Sequence, residues 1–374
     1  MPVYADPVDG LAVPAALLQA WTARLVESVG TPTDIAADVA EILVASDRRG
    51  IASHGSARLP SYVALIEAGV MDPAARPVRD GGRPALLRFD ARNGWGHHAS
   101  RVALDAAIAA ARTLGTATAV VHHSNHYGIA GWYALRAAHE GMIGISLSNT
   151  SPLVAPTRAR QALIGTNPIA IAAPAGRFGA FCLDMATSTI PRGRIEVAAR
   201  RGETLPVGWA IDAEGRPATT PEAALAGALH PLGGEEATGG HKGYGLSLAV
   251  DLLTGVLGGA AFGPNIIGLF STEAESDLGQ TFVVIDPAAF EPAQAFESRL
   301  EGYLEQLVAA PTRPDAPGRV LVPGEPEAEA ERRSDERGVV IDATHARNLT
   351  ELGARLGVPF EVSASSGPDP STPR

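Results

Sequence analysis

Apolar residues recur at helical spacing over residues 14–29 and again over 34–47, which predicts two amphipathic helices, the second opened by Thr33 as its N-cap. Together they form a small helical lead-in. A further helical run over 101–112 feeds the apolar stretch 118–121, a short strand that delivers the polar cluster His122, His123, Ser124, Asn125 and His126. From Ile129 the apolar Trp132, Tyr133 and Ala137 return to helical spacing, and the next strand, over 142–147, ends at Ser148, Asn149 and Thr150. Strand-like runs follow at 167–173 and 180–185, and Asp212 to Gly215 offers a turn between extended segments. Leu246, Val250, Leu253 and Leu257 share one helical face, as do Phe296, Leu300, Leu304 and Leu307, with a strand at 280–285 between them. Strands so near in sequence point to antiparallel pairing, and the mixture reads as α/β (α+β).

Past Pro323 the pattern changes. Residues 325–337 are a dense run of charge and 363–374 are rich in Ser and Pro, so both are expected at the surface or partly disordered. No internal repeat is found.

A chain of 374 residues implies two or three subdomains around a substantial core. Its 45% hydrophobic and 19% charged residues are ordinary globular composition. The net charge of −11 disfavours nucleic acid and anionic membranes as partners, since both call for basic patches. With Cys182 as the single cysteine, an intrachain disulfide and a cysteine-based metal site are both excluded, and a reducing cytoplasm fits. The first ten residues have neither a basic flank nor an apolar run, so no secretory signal is expected, and no apolar stretch is long enough to span a membrane. Among 30 basic side chains only Lys242 is a lysine.

The first chemical clue is an absence. No GxGxxG follows any predicted strand and no P-loop pattern occurs, so a Rossmann fold is disfavoured. Ser53-His54-Gly55 is followed by Arg58, Pro60 and Tyr62. Histidine exchanges a proton near neutral pH and a guanidinium fork clamps a carboxylate, so this string suits an organic acid, although a helix terminus with a capping histidine has the same composition. His122, His123 and His126 invite a zinc reading, but they follow a strand and lack an HExxH glutamate. A single histidine acting as acid or base is the stronger option, and no metal is assigned. Asp184 to Ser188, with Arg192-Gly193-Arg194 after it, resembles a strand end turning into a helix. Lys242, in Gly-Gly-His-Lys-Gly-Tyr-Gly before an apolar helix, is placed to meet a phosphate or carboxylate.

Taken together, the strings SHGSARLPSY, SNHYGIAGWYA, LIGTNPIA, DMATS with PRGRI, GGHKGYGLSLAVDLLTGVLGGAAFG and LVPGE resemble the type 2 malate/L-lactate dehydrogenase family. Ureidoglycolate and sulfolactate dehydrogenases and reductases of cyclic imino acids belong to it too. The resemblance spans roughly residues 14–326. It implies a homodimer, a non-Rossmann nicotinamide-binding fold with a mostly antiparallel mixed sheet and a helical N-terminal subdomain, and NAD or NADP as hydride carrier. It further implies His126 as proton acceptor, with Ile129 and Ala130 in the same cofactor-contacting stretch. Ser53 and His54 match a competing pair proposed for proton donation, with Arg58 on the substrate carboxylate. Thr166 matches a substrate contact, Arg192 and Gly193 lie near the substrate, and Thr150, Asp184, Met185, Ala186, Lys242, Pro323 and Gly324 fall in cofactor-binding segments. Arg194 stands where relatives commonly carry lysine, or the aspartate of an imine-reducing relay, which weakens the imine reading. His97 stands where glutamine is more typical, and Pro191 is also unusual.

The expected organisation is a helical N-terminal part of a substrate and dimer domain at 1–80, a cofactor domain at 81–240, a return to the first domain at 241–326, and a charged, Ser/Pro-rich extension at 327–374. The expected function is a cytoplasmic oxidoreductase passing a hydride between NAD(P) and a small 2-hydroxy or 2-oxo acid. A cyclic imino acid reductase is the alternative, and a zinc-dependent hydrolase on the three histidines is the alternative of another class.

Overall fold

The computed structural model describes residues 10–361, so the Ser/Pro-rich stretch from Ser363 lies outside the described residues. The chain falls into two compact units, one running to Glu67 and resuming at Pro326, the other covering Ala68–Glu325.

In the first unit, β1 (Leu11–Val13) leads into the helices α1 (Ala15–Ser28) and α2 (Thr33–Arg48), and α3 (Leu59–Glu67) follows two short 3-10 turns. Leu18, Trp21 and Leu25 of α1 and Ile35, Ile42 and Leu43 of α2 are almost wholly buried, so the two apolar stripes pack on each other. Thr33 is the first helical residue rather than the cap, because Pro32 precedes it at the start of the helix and no side chain caps the end. The C-terminal segment closes this unit with α10 (Glu325–Arg337), β11 (Val339–Ile341) and α11 (Ala343–Arg355). β11 pairs antiparallel with β1, and Trp21 donates from Nε1 to Val358 O at 3.0 Å while its ring meets that of Phe360 at a 60° tilt, 4.6 Å between centroids.

The charge run over 325–337 is an ordered helix that lies at the surface, with only Ala330 buried, so of the two expectations the surface one holds and the disordered one does not. Its order comes from partners that composition does not reveal: Arg48 pairs with Asp335 through two hydrogen bonds at 2.9 and 2.8 Å, and Arg49 with Glu331 at 2.9 Å. Ser334 adds a hydrogen bond to Arg48 O at 2.9 Å.

The second unit is built on a seven-stranded sheet of order β2-β3-β4-β10-β5-β6-β7, comprising β2 (Val78–Arg83), β3 (Leu86–Asp90), β4 (Thr116–Ser124), β5 (Ile143–Ser148), β6 (Ile169–Pro174), β7 (Ala180–Met185) and β10 (Leu278–Ile285). All neighbours are antiparallel except β3 and β4, which the crossover helix α4 (Gly96–Leu114) joins in parallel. This is the mixed, mostly antiparallel sheet of a non-Rossmann fold. α4 and α5 (Ala130–His139) lie side by side on one face, against β4, β10, β5 and β6. On β10 the run Leu278-Gly279-Gln280-Thr281-Phe282 is buried throughout, as expected of a central strand covered on both faces. The second cover follows α8 (Gly240–Asp251), where a π-helical stretch, Leu252–Val256, offers Leu253 O to the Thr281 hydroxyl at 2.7 Å.

α6 (Arg192–Arg201), β8 (Ala210–Ile211), α7 (Pro221–Ala226) and β9 (Ala228–Leu229) surround a small core of their own, centred on Val154, Ile164, Ile190, Ile195, Leu205 and Leu229. α9 (Ala293–Val308) buries Leu304 against Ala175 and Val322. Residues 241–325 fall in the same compact unit as 81–240, and the first stretch of the other unit runs to Glu67. The apolar face expected on α8 is also incompletely covered within this unit: Val250 is 1% exposed, whereas Leu246, Leu253 and Leu257 are 38%, 38% and 60% exposed.

Candidate active site

In the first unit, the chain leaves α2 through two successive 3-10 turns, Ala52–His54 and Ser56–Arg58, neither with a side-chain cap. Ser53 Oγ lies 2.9 Å from His54 Nδ1, and Arg58 Nε donates to Ser53 O at 2.5 Å. The string read from the sequence is therefore a real cluster. Burial, and then the Arg58 charge, push the His54 pKa down to about 4, so its imidazole is neutral at physiological pH. Tyr62 adjoins the group: burial raises its phenol, against the opposing pull of Arg58. A neutral imidazole beside a fixed cation is equipped to accept a proton from a group whose carboxylate the cation holds.

Beneath this loop lies a line of buried groups that sequence reasoning missed. Asp47 accepts the Ser56 N–H at 2.8 Å, and Ser56 Oγ lies 3.0 Å from Nε2 of His345 on α11. Burial pushes the Asp47 carboxyl up to about 7.

In the second unit, antiparallel pairing brings together residues that are far apart in sequence. Leu278 faces Ser124, Gln280 faces Ser148, Leu147 faces Ile169, and Ile169 faces Met185. The C-terminal ends of β4, β5 and β7 and the start of β6 therefore share one end of the sheet, which gathers His126, Thr150, Thr166, Asp184, Met185 and Ala186 there. Thr150 and Thr166 touch through their hydroxyls at 3.3 Å, and Thr166 N–H donates to Thr150 Oγ1 at 2.9 Å. Buried asparagines fix the strand ends: Asn149 donates to Ala261 O at 2.8 Å and Asp251 Oδ1 at 3.2 Å, and Asn125 to Gly94 O at 2.9 Å. Burial raises the Asp251 carboxyl.

His126 sits on the turn between β4 and α5. Its Nδ1 accepts the Gly128 N–H at 3.3 Å, and its ring meets the edge of His97 at 6.4 Å between centroids. Burial drives His97 down to about 3, so this neighbour is neutral. The start of α4 is packed so closely on this turn that a Cβ on Gly96 would stand 2.0 Å from Asn125 O. Ile129 and Ala130 are 4% and 2% exposed, so their side chains serve packing. Asp184 accepts the Gly131 N–H at 2.8 Å, which occupies the N-terminus of α5 with a carboxylate of the protein.

Lys242 lies in the first turn of α8 rather than ahead of the helix, beside a groove of about 260 Å³ lined also by Leu232, Gly233, Thr238, Gly239, Gly243 and Leu246. Leu232 N–H donates to Thr187 O at 2.8 Å, which fastens the groove wall to the segment after β7. That first turn carries no acidic residue, and its single lysine suits the phosphates of a dinucleotide. Pro323 accepts the Cys182 N–H at 3.0 Å, and Gly324, at φ +91°, packs onto Cys182. Arg192 pairs with Glu196 at 3.2 Å beside Gly193, and the Arg194 guanidinium lies over Trp209 at 5.5 Å.

The three histidines of the zinc reading have separate partners. His122 meets Asp80 at 3.0 Å, His123 bridges Asp90 at 3.2 Å and Glu275 at 3.0 Å, and His126 faces His97. No helix among the described residues is long and apolar enough to cross a membrane.

A family described as malate/L-lactate dehydrogenase matches residues 13–350. A malate dehydrogenase of Pyrococcus horikoshii is 40% identical over 350 residues, covering 92% of this chain and 96% of that protein. An L-sulfolactate dehydrogenase of Methanothermobacter thermautotrophicus is 34% identical over 339 residues, covering 91% and 95%. The solved structure of malate dehydrogenase from Pyrococcus horikoshii OT3 superposes with a TM-score of 0.87 at 36% identity, over 94% of this chain and 97% of that one.

Proposed function

Because the chain belongs to the malate/L-lactate dehydrogenase family, we propose that it passes a hydride reversibly between NAD or NADP and C2 of a short 2-hydroxy or 2-oxo acid. The observation that carries this reading is the Ser53, His54 and Arg58 cluster, a proton-accepting imidazole and a carboxylate-binding fork held in adjoining turns. Relatives named for malate and sulfolactate act on acids with a second anionic group, which makes dianionic substrates the first to try.

When bound, the nicotinamide supplies or takes up the hydride. The groove beside Lys242 would hold its phosphates, and Thr150, Asp184, Met185, Ala186, Pro323, Gly324 and the backbone at Ile129 and Ala130 are the further contacts we assign to it. Arg58 binds the substrate carboxylate. His54, neutral at physiological pH, takes the proton from the C2 hydroxyl in the oxidising direction, and Ser53 lies within hydrogen-bond reach to relay it. His126 is the competing proton acceptor, with Thr166, Arg192 and Gly193 as additional substrate contacts. Exposed Leu252, Val256, Leu257 and Phe262 form an apolar face that a second copy of the chain covers in a homodimer. A single buried thiol, Cys182, accords with a reducing cytoplasm.

The test is loss of absorbance at the reduced nicotinamide band with NADH and NADPH against pyruvate, oxaloacetate, sulfopyruvate and piperideine carboxylate. Turnover of a keto acid is expected, and turnover of the imine alone, or of none, refutes the reading. His54→Ala and His126→Ala then separate the two proton-transfer assignments, since only the true one lowers kcat by about 100-fold or more. Sedimentation of a monomer at micromolar concentration would refute the dimer.

A further inference from the structure

The loop bearing Ser53, His54 and Arg58 rests on polar groups that no step above uses. Asp47, Ser56 and His345 are 5%, 0% and 6% exposed. Ser56 gives its N–H to the Asp47 carboxyl at 2.8 Å, and its Oγ lies 3.0 Å from His345 Nε2. Burial lowers the pKa of His345, so the ring is neutral. A neutral ring at His345 shares one hydrogen bond with the Ser56 hydroxyl through Nε2, as donor or as acceptor according to its tautomer. The backbone of His345 is itself tied down, its N–H donating to Asp342 Oδ1 at 2.8 Å at the start of α11. Gly55 is what permits this approach: a Cβ there would stand 1.9 Å from Asp47 Oδ1. Ser56 lies between His54 and Arg58, and the Arg58 N–H donates to Gly55 O at 3.0 Å, so fixing Ser56 fixes both.

We propose that Asp47, Ser56 and His345 are positioning residues that hold the 53–58 loop in its substrate-binding form, which makes helix α11 a working part of the active site. The proposal rests on the reading of His54 and Arg58 given above. Without the line of hydrogen bonds, the two uncapped turns must be ordered by the substrate itself, so the loss falls on substrate binding.

The test uses the full-length enzyme with its best keto acid and compares Ser56→Ala, His345→Ala, His345→Gln and the double Ser56→Ala/His345→Ala. Ser56→Ala and His345→Ala are expected to raise KM for the acid roughly tenfold, the size of one lost buried hydrogen bond, with reduced-cofactor affinity by fluorescence and the far-ultraviolet spectrum unchanged. Gln carries both a donor and an acceptor at the end of its side chain, so His345→Gln should restore most of the KM. The double variant should be no worse than Ser56→Ala. Wild-type KM in both alanine variants, equal losses for acid and cofactor, or a His345→Gln no better than His345→Ala overturns the proposal. His54→Ala and Arg58→Ala are measured alongside: if they are impaired while Ser56→Ala and His345→Ala are not, the positioning role alone falls. If they keep wild-type kinetics, the reading of the loop falls, and the proposal with it.

Discussion

Replacing Asp47 by Asn should change how stability depends on pH, by an amount set by the burial of the carboxyl. That carboxyl titrates at about 7 in the folded protein against an ordinary 3.8, with burial the leading cause and hydrogen bonding from Ser56 opposing it. Between these values the folded chain keeps a proton that the unfolded chain has released. Stability from this group is therefore fully present below the unfolded value, falls as pH rises toward 7, and is flat above. The slope is about 1.4 kcal/mol per pH unit, which accumulates to about 4 kcal/mol across the window. Asn at 47 does not titrate. It keeps an acceptor for the Ser56 N–H, and whatever its amide costs beside Gly55 is the same at every pH. All other ionisable groups are common to both proteins and cancel in the difference. Urea unfolding of the wild type and Asp47→Asn, from about pH 4.5 to 8.5 at one protein concentration, should show the variant gaining on the wild type up to about pH 7 and no further. A difference that stays constant with pH would show that Asp47 is not held out of water as the structure has it.

Arg58→Gln removes the cation that helps depress His54, so the acid limb of kcat/KM for hydroxy acid oxidation should move up from about 4, and a pH profile with an unmoved limb would assign that limb to another group. Gly243→Ala would put a Cβ 2.1 Å from Leu232 O, forcing the start of α8 off the groove wall; a fluorescence titration should show weakened cofactor binding, and wild-type affinity would remove this groove from the cofactor's site. Leu349→Ala on α11 empties a fully buried position and should cost about 2–4 kcal/mol in urea unfolding, whereas a loss near zero would mean α11 is not part of the cooperative fold.

The residues that could be read directly from the sequence are those whose meaning lies within a turn or two of themselves. Ser53, His54 and Arg58 form one string and also one cluster. The strands at 143–148, 169–174 and 180–185 and the helix at 130–139 follow local patterning. What could not be read depends on distant partners. β2, the sequence Val-Arg-Asp-Gly-Gly-Arg, is mostly exposed and looks like a loop until it is paired as the outer strand against β3. α10 has only Ala330 buried, and its order is owed to Arg48 and Arg49, more than 280 residues away. Ser56 and His345 are 289 residues apart, and neither residue type in its own neighbourhood announces the other. The same reasoning bears on the uncovered face of α8. Its apolar period was visible as an intention to bury, yet periodicity carries no information about the partner, and the unit supplies cover only around Val250. An apolar stripe kept at helical spacing but left exposed by its own unit calls for a covering surface, which is why we assign a second copy of the chain to it.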